Sequence, residues 1–478
     1  MRWYRTLTRG QRWILLSLAS ALVLVIALFA WTIWSTHQAE AQQSDPSDAG
    51  VPTPTATVTR TATPTRQPSP TSTPPPVTEA AAAFDVFRAG VIAQRVADAR
   101  ESRTRWGTPL TVVDQTGMAR VLYTHFEESP PLAMRLQPIL QALNLGYDDT
   151  LRLDVVSQAE ETAAFYVPEL EELYLRRDWD GSIDTLELQL AYGYARALPD
   201  QFGDLSTLLD EATSLDLQIA LAAVAEGEAM VSVWLLNDVV PSDPSAVSAD
   251  AESLRALVAP VVCPRWQEPA PWLDALCCLA FDVGVPFVTA QYQAGGVEAM
   301  DEIVLRPPRS TEQLLYPERY AASDEPRVIA PLEPGLGSDW RLLASETLGE
   351  ALMSRVLAAW GRVEDSETRP LEWGGDLLQV WTTQEDDPSA RDKVAVWQID
   401  LDDVRAALRF ASELQELLPR ALFDGRVMRT DVPESLVGGH WWAGRAGAVT
   451  LQRRANQVRL VWGSDPDVVE YVGVAAVP

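Results

Sequence analysis

The chain has 478 residues, of which 67 are acidic and 38 are basic, so its formal net charge is −29. Nucleic-acid binding depends on clustered lysine and arginine, so this balance argues against a nucleic-acid partner and favours a soluble acidic surface. At about 150 residues per domain the length allows up to about three domains, and the hydrophobic content of 47% with 17 tryptophans suffices for a large core.

The N-terminus has the features of a membrane anchor. Residues Trp13–Trp34 form an uncharged apolar run that is long enough for a helix to cross a bilayer. Four arginines precede it, so the positive-inside rule places residues 1–12 in the cytoplasm and everything after the span outside. The alternative is a signal peptide cleaved near Ala39–Ala41, which would release a secreted protein. The apolar run exceeds the ~7 to 15 residues of such signals, so we predict an uncleaved single-pass anchor.

The rest of the chain divides into a linker and two folded parts. Residues 35–78 are rich in proline and threonine, which predicts an extended linker without a core. Apolar residues then recur every three to four positions, so residues 79–331 are predicted to form a mainly helical domain. Residues 332–478 alternate strand and helix patterns, which predicts a small α+β domain. The overall fold class is therefore α+β.

The helical part contains three specific predictions. Phe165–Arg176 has the pattern of a hairpin with Pro168 at its turn. Thr185–Leu198 is predicted as an apolar helix that ends near Pro199, because proline cannot continue a helix without a kink. Ser214–Leu236 is predicted as a second buried helix, in which Gly227 marks the close approach of another backbone.

Proline and polar residues in Leu305–Pro331 predict a long surface segment that closes the helical part. Beyond it we predict a helix over Glu346–Trp360, strands over 374–383 and 392–399, and a helix over Asp402–Leu418. A hairpin with Ala455 and Asn456 at its turn follows. His440, within the segment VGGHWW, is interpreted as a core or edge-strand residue.

The chain has three cysteines, an odd number that leaves at least one without an intramolecular partner. A disulfide from Cys263 to either Cys277 or Cys278 would close a short loop and stabilise the fold by about 3 kcal/mol in the chain-entropy model. Three buried free thiols are the alternative, since free cysteine is often a core residue. No C-x-x-C zinc pattern is present.

Several segments resemble one known family. The hairpin AFYVPELEELYL is followed by the helical sequence LQLAYGYARALPDQFGDL over 188–205, and LQALNLGYDD, AVAEGEAM, PPRSTEQLLYPERY and LEWGGDLLQVW occur in the family's order. The chain thereby resembles bacterial membrane-anchored metallopeptidases of the gluzincin type. The resemblance, which covers nearly all of residues 84–477, implies a zincin-like helical domain whose helix carries His-Glu-x-x-His for zinc.

The zinc motif itself is missing. Where the family pattern has its two zinc-binding histidines the chain has Tyr192 and Arg196, and Gly193 stands at the position of the general base. The resemblance leaves only Glu226 as a possible third ligand. Tyr316 and Phe202 also replace histidines of the pattern, and the three histidines of the chain, His37, His125 and His440, lie outside this helix. Catalytic zinc needs three ligands and a base, so we expect no bound metal, no cofactor and no zinc peptidase activity.

The positive charge of Arg196 could take the place of the charge of a zinc ion. We expect it to pair with Glu226, whose carboxylate would otherwise be buried without a partner. The alternative partner is Asp200, one helical turn further on. Tyr192 is expected to be a core aromatic residue with a local hydrogen bond.

The resulting functional hypothesis is an inactive, metallopeptidase-like binding module at the cell surface. Its partners would be the membrane, through the N-terminal helix, and an extracellular peptide or protein. One alternative is a hydrolase with a non-zinc or rebuilt site, for which Glu226, Glu228, Asp200 and Asp204 supply neighbouring carboxylates. The other is a purely structural protein of the cell envelope.

Overall fold

The computed structural model describes residues 86–101, 107–146, 152–244, 247–268, 270–362, 370–383, 392–436 and 438–475. The predicted cytoplasmic tail, membrane helix and linker, residues 1–78, lie outside the described residues. Those that are described form a mixed α+β fold, as the sequence predicts.

The N-terminal part is mainly helical and contains one small sheet. Its elements are α1 (Val86–Ala99), β1 (Leu110–Val113), α2 (Gln115–Glu128), α3 (Leu132–Arg135), α4 (Gln137–Ala142), α5 (Val155–Glu161), β2 (Ala164–Val167), β3 (Glu172–Arg176), α6 (Ile183–Gly203), α7 (Leu205–Asp210), α8 (Leu215–Leu236), α9 (Ala249–Val262), α10 (Pro271–Cys277), α11 (Leu279–Leu305), α12 (Thr311–Leu315) and α13 (Pro317–Ala321). Strand β3 lies between β2, to which it is antiparallel, and β1, to which it is parallel. The predicted hairpin is therefore present, whereas the sequence pattern does not predict β1.

Helix α6 is longer than predicted. It begins after Ser182, whose hydroxyl accepts a hydrogen bond from the Thr185 amide at 3.0 Å, and it continues through Pro199 to Gly203. The prediction that it ends near Pro199 is wrong. Pro199 is itself buried, and Gly203 packs closely against Val304. Tertiary contacts on both sides of the proline therefore outweigh the hydrogen bond that the proline removes.

Helix α8 lies at the centre of the N-terminal core. Ser214 caps it by accepting a hydrogen bond from the Leu217 amide at 3.2 Å, so the predicted start is correct to one residue. A Cβ atom on Gly227 would lie 2.5 Å from the Gly284 carbonyl oxygen of α11, and one on Gly284 would lie 2.0 Å from the Ala223 carbonyl oxygen. The close backbone approach predicted at Gly227 is thus confirmed, and it needs a glycine on each helix.

Helix α8 is also the one helix, among the residues that are described, whose length and hydropathy suffice to cross a membrane by itself. Helices α10 and α11, which are bent by 47°, would qualify only if taken together as one span. In the most apolar window of α8, 78% of the residues are buried inside the protein. A helix that is apolar on all sides and covered by protein has the character of a core helix.

The C-terminal part is built on a seven-stranded antiparallel sheet. Its elements are β4 (Trp340–Glu346), α14 (Gly349–Ala359), β5 (Trp373–Thr383), β6 (Lys393–Leu401), α15 (Val404–Ala421), β7 (Met428–Arg429), β8 (His440–Gly444), β9 (Gly447–Arg454), β10 (Gln457–Gly463) and α16 (Pro466–Ala475). The strand order is β4-β5-β6-β10-β9-β8-β7. Apolar residues of α15 cover one face of the sheet, and α16 covers part of the other.

Most local predictions for this part are confirmed. Strands β9 and β10 form a hairpin whose last pair is Arg454 with Gln457, so Ala455 and Asn456 form its turn as predicted. His440 begins β8, which lies next to the short edge strand β7. The sequence analysis does not predict β4, β7 or α16.

The two parts share one hydrophobic core. A single cluster of buried residues contains Leu140 and Leu215 from the N-terminal part and Trp397 and Leu460 from the sheet. The Trp462 indole N–H also donates a hydrogen bond to the Ala142 carbonyl oxygen at 2.7 Å. The two segments on either side of the predicted boundary after residue 331 therefore pack against each other in the fold.

The segment Leu305–Pro331 is only partly a surface segment. Residues 310–314 are at most 3% exposed, because they lie between α8 and the first helix of the C-terminal part. The Thr311 amide donates a hydrogen bond to Asp216 at 3.0 Å, and the Thr311 hydroxyl accepts one from the Ala351 amide at 3.1 Å. The prediction of an exposed segment is wrong for these residues, and the Thr311 and Gln313 side chains make hydrogen bonds to other parts of the fold.

The structure contains a disulfide between Cys263 and Cys278, one of the two pairings left open by the sequence. It joins the end of α9 to the start of α11. Cys277 remains a free, half-buried thiol, and burial raises its pKa to about 12.

Candidate functional site

The four residues that the resemblance to gluzincin-type peptidases singles out lie close together, between the β2–β3 hairpin and the helices below it. Tyr192, Gly193 and Arg196 lie on α6, and Glu226 lies on the neighbouring α8. All four line a cavity of about 110 Å³ that is closed on its other side by hairpin residues such as Phe165. Residues one helical turn apart share a face, so Tyr192 and Arg196 both point from α6 into this cavity.

Glu226 is the centre of this cluster. Its carboxylate oxygen Oε1 lies 3.2 Å from Nε of Arg196, and its Oε2 accepts a hydrogen bond from the Tyr192 hydroxyl. The Arg196 and Glu226 side chains are 14% and 17% exposed, so solvent screens the pair only weakly. The predicted ion pair is therefore present, and the Tyr192 hydroxyl is satisfied locally as expected.

The charge states of the cluster follow from burial and from Glu226. Burial by itself would lower the pKa of Arg196, but the Glu226 carboxylate raises it above its ordinary value, so the guanidinium stays charged. Burial, together with the same carboxylate, raises the pKa of Tyr192 far above its ordinary value. The tyrosine therefore remains a neutral hydrogen-bond donor. It is not a phenolate ligand.

Asp200, the alternative partner of Arg196, has other contacts. It accepts hydrogen bonds from the Tyr166 hydroxyl and from the Ser206 amide, both at 3.1 Å. Its negative charge acts on Arg196 through space and helps to raise the pKa of that residue. Asp200 thus extends the cluster, while Glu226 holds the direct contact.

The position of Gly193 is closed to a larger side chain. A Cβ atom there would lie 2.4 Å from Cδ1 of Leu173, a strand residue that is completely buried. The space into which a side chain at 193 would extend is therefore filled by the β2–β3 hairpin. No general base acts from this position.

His125 was not predicted to belong to this neighbourhood, and the structure places it there. It lies at the end of α2 and lines the same cavity as Glu226. Its Nδ1 is 3.2 Å from Oε2 of Glu169. Burial by itself would raise the pKa of Glu169, but hydrogen bonds from His125 and Ser129 lower it to about 2. The sequence gives no local signal for this contact, because His125 and Glu169 are 44 residues apart in the chain.

Tyr316 and Phe202, the two other positions named from the resemblance, lie in different surroundings. The Tyr316 hydroxyl donates a hydrogen bond to Glu350 at 3.0 Å, within the junction between the two parts. Phe202 is 50% exposed. Neither residue extends the cluster around Glu226.

Zinc does not fit the residues at this cluster. A guanidinium cannot ligate a metal, and its fixed charge would repel a dication beside Glu226. Tyr192 is kept protonated, and Gly193 supplies no ligand. Over the described ranges, no group of three or more histidine, cysteine, aspartate or glutamate residues is arranged to hold a metal ion.

A larger cleft opens next to the cluster. Its volume is about 630 Å³, within the range of ~300 to 1,000 Å³ typical of ligand pockets. Glu226 lines both the cleft and the smaller cavity of the cluster. Its polar and apolar linings include Glu169, Glu171, Asp210, Ile219 and Phe281.

The other carboxylates named for an alternative hydrolytic site are engaged separately. Glu228 forms an ion pair with Arg100 at 2.9 Å, and both side chains are at most 3% exposed. Burial raises the pKa of Glu228 to about 7. Asp204 lies in the connection between α6 and α7 and accepts a hydrogen bond from the Thr207 hydroxyl at 2.6 Å. The four carboxylates therefore do not converge as an acid–base pair.

A separate set of buried acids lies where the N-terminal part meets the sheet. Asp376 accepts hydrogen bonds from the indole N–H groups of Trp373 and Trp397 at 3.1 and 2.8 Å. Asp216 and Glu350 each have one carboxylate oxygen that is buried and makes no hydrogen bond to a described residue. Burial raises the pKa of Asp216 and of Glu350 to about 7 in each case. Asp216 and Glu350 are therefore partly protonated near neutral pH.

Because of the buried Asp216 carboxyl group at this junction, we expect the free energy of unfolding to fall as the pH rises. The folded-state pKa of Asp216, about 7, exceeds its ordinary value of 3.8, so the folded state binds the proton more tightly than the unfolded state. The stability that this proton contributes is lost as the pH rises from about 4 to about 7. We expect the free energy of unfolding to be roughly 2 kcal/mol higher at pH 5.5 than at pH 7.5 from this residue. Chemical denaturation at the two pH values measures the difference.

Asp216→Asn is the matched variant for this prediction, because asparagine keeps the oxygen that accepts from Thr311 and does not titrate. It should reduce the difference by roughly 2 kcal/mol. Asp339→Asn, at an exposed position, should leave the difference unchanged. An unaltered pH dependence in Asp216→Asn would contradict the assignment.

Comparisons with known families reach only the C-terminal part. Residues 341–473 match a family model described as "Domain of unknown function (DUF8575)". The matched segment runs from β4 to α16. It includes none of the four positions around Glu226, and its description assigns no activity. No curated protein and no solved structure matches the chain.

Proposed function

We propose that the protein is a cell-surface binding module with an inactivated, metallopeptidase-like cleft. The observation that carries this proposal is the Arg196–Glu226 ion pair, at 3.2 Å, beside an open cleft of about 630 Å³. On the resemblance to gluzincin-type peptidases, the guanidinium takes the electrostatic place of zinc. Hydrolysis by that route is lost, while the cleft that would receive a ligand stays open.

An extracellular position agrees with the rest of the chain. The apolar run Trp13–Trp34 would anchor the protein, and residues 35–78 would hold the folded part away from the bilayer. The Cys263–Cys278 disulfide is the kind of bond that persists in an oxidising exterior. The single-pass orientation follows from the arginines before the span.

The ligand proposed for the cleft is an extended peptide that carries positive charge. Glu169, Glu171 and Asp210 line the cleft, against one arginine, Arg135, whereas Arg196 balances the charge of Glu226. Hydrogen bonds from His125 and Ser129 lower the pKa of Glu169 to about 2 in spite of its burial, so this carboxylate is ionised at neutral pH. Complementary charge accelerates encounter and selects among partners.

The test is a selection of displayed peptides on the full-length protein in a mild detergent. We expect enrichment of lysine- or arginine-containing peptides. Ala222→Trp, which fills the cleft from α8, should weaken their binding at least tenfold. Ala359→Trp, at an exposed position of α14, is the matched control and should bind like the wild type. Failure to enrich any peptide, or equal binding by Ala222→Trp, would overturn the proposal.

Metal content separates this proposal from a rebuilt active site. Mass spectrometry of the full-length protein, purified with added zinc and then dialysed, should find far less than one zinc per chain. Stoichiometric zinc together with cleavage of an enriched peptide would establish the hydrolase alternative instead. A folded protein that binds no peptide would favour the purely structural role.

A further inference from the structure

A second pocket lies on the C-terminal sheet and is lined by none of the residues of the cleft. It has a volume of about 400 Å³. Strands β6, β9 and β10 form its floor, and residues 328–330 form one wall. In the strand register Arg459 lies opposite Gln398 on β6 and opposite Gln452 on β9. Residues directly opposite in neighbouring strands share a face, so three long polar side chains form a row across the floor.

This end of the sheet face is polar because α16 covers only the other end. Val469 and Val472 of α16 pack against Val461 of β10, two residues beyond Arg459. Side chains alternate between the two faces of a strand, so Arg459 and Val461 lie on the same face. The apolar cover thus stops at Val461, and the pocket begins at Arg459.

Arg459 has no counter-ion among the residues that the structure describes. Its Nη2 donates a hydrogen bond to Oε1 of Gln398 at 3.0 Å. Its Nε is buried and has no hydrogen-bond partner, and the ion pairs of the described residues do not include it. Burial lowers the pKa of Arg459 with no carboxylate to oppose the effect. In a chain of net charge −29, where most buried charges have partners, an arginine without a carboxylate is unusual.

The charges around the pocket favour an anion. Arg453 and Arg454 line it together with Arg459. The one acidic residue in the lining, Asp400, lies 3.7 Å from Nε of Arg327, so its charge is partly balanced from outside. The guanidinium group presents several N–H donors in one plane and matches the geometry of carboxylates and phosphates.

We propose that this pocket binds a small organic oxyanion, a carboxylate or a phosphate ester, whose anionic group contacts Arg459. Ile329 and Ala330 form an apolar wall for the body of the ligand. The volume of the pocket lies within the range that holds small molecules. This function is separate from peptide binding in the cleft, and the two sites share no lining residue.

The test uses three aromatic probes on the full-length protein in detergent: benzoate, phenyl phosphate and the uncharged benzyl alcohol. Titrations followed by saturation-transfer difference NMR should show saturable binding of at least one oxyanion, at least fivefold tighter than that of benzyl alcohol. Preference for benzoate or for phenyl phosphate identifies the carboxylate or the phosphate as the natural group.

Two variants assign the binding to the pocket. Arg459→Gln should weaken binding of the preferred oxyanion at least fivefold. Ala330→Trp should weaken it to the same extent, because it fills the pocket from an exposed segment and does not disturb the sheet. Arg341→Gln, at an exposed position of β4, should bind like the wild type. Equal affinity for oxyanion and alcohol would overturn the proposal, and so would full binding by either pocket variant. The cleft variant Ala222→Trp should leave this binding intact, which keeps the two proposals distinguishable.

Discussion

Arg196→Met is expected to lower the free energy of unfolding by about 3 kcal/mol, because it leaves the Glu226 carboxylate without its counter-ion. Both side chains are largely buried, at 14% and 17% exposed. Removal of one member of such a pair leaves an uncompensated charge, which costs more than the pair itself contributes. Equilibrium denaturation of the full-length protein measures the loss.

The double variant Arg196→Met with Glu226→Gln should recover much of that stability, because it removes both charges and keeps an oxygen for the Tyr192 hydroxyl. The exposed pair of Arg88 and Glu187, at 44% and 26% exposed, supplies the matched control. Arg88→Met should change the free energy of unfolding by less than about 1 kcal/mol. A loss no larger for Arg196→Met than for Arg88→Met would mean that the pair at the site contributes little.

Gly284→Ala is expected to destabilise the fold by at least about 3 kcal/mol, or to prevent folding, because the added methyl group meets a backbone atom. The new Cβ would lie 2.0 Å from the Ala223 carbonyl oxygen. A side chain could rotate away, but a carbonyl within α8 can move only with its helix. Thermal and chemical denaturation of the variant would measure the effect.

Gly90→Ala is the matched control, since Gly90 also lies within a helix and has no atom within 4 Å of the added Cβ. That variant should be neutral or more stable by up to about 1 kcal/mol, because alanine favours the helix over glycine. Similar stability changes in the two variants would show that α8 and α11 can separate slightly without loss.

The sequence predicts those features that depend on neighbouring residues. Pro168 marks the hairpin turn, Ser214 caps α8, and Ala455 with Asn456 forms the turn between β9 and β10. Each of these signals acts over a few residues, so no knowledge of the rest of the fold is needed. The Arg196–Glu226 contact was predicted on a different ground: the resemblance to gluzincin-type peptidases places both residues at positions of zinc ligands, and a buried charge needs a partner.

Features that depend on contacts between distant parts of the chain could not be predicted from the sequence patterns. Helix α6 continues through Pro199 because the surroundings of the proline are buried. Strand β1 is stabilised by its pairing with β3, some 60 residues later, as the pair Leu110–Leu173 shows. His125 reaches the site only through the packing of α2 against the hairpin. Propensity and periodicity carry no information about such pairings.

Leu173 couples helix position 193 to the β2–β3 hairpin. A side chain at position 193 would begin with a Cβ atom 2.4 Å from Cδ1 of Leu173, so the Leu173 side chain must move or become smaller to admit it. Changing Leu173 alone would leave a hole in a fully buried part of the core, which is destabilising by itself. Substitutions in contact are coupled in this way. The residue that can stand at position 193 therefore depends on the residue at position 173.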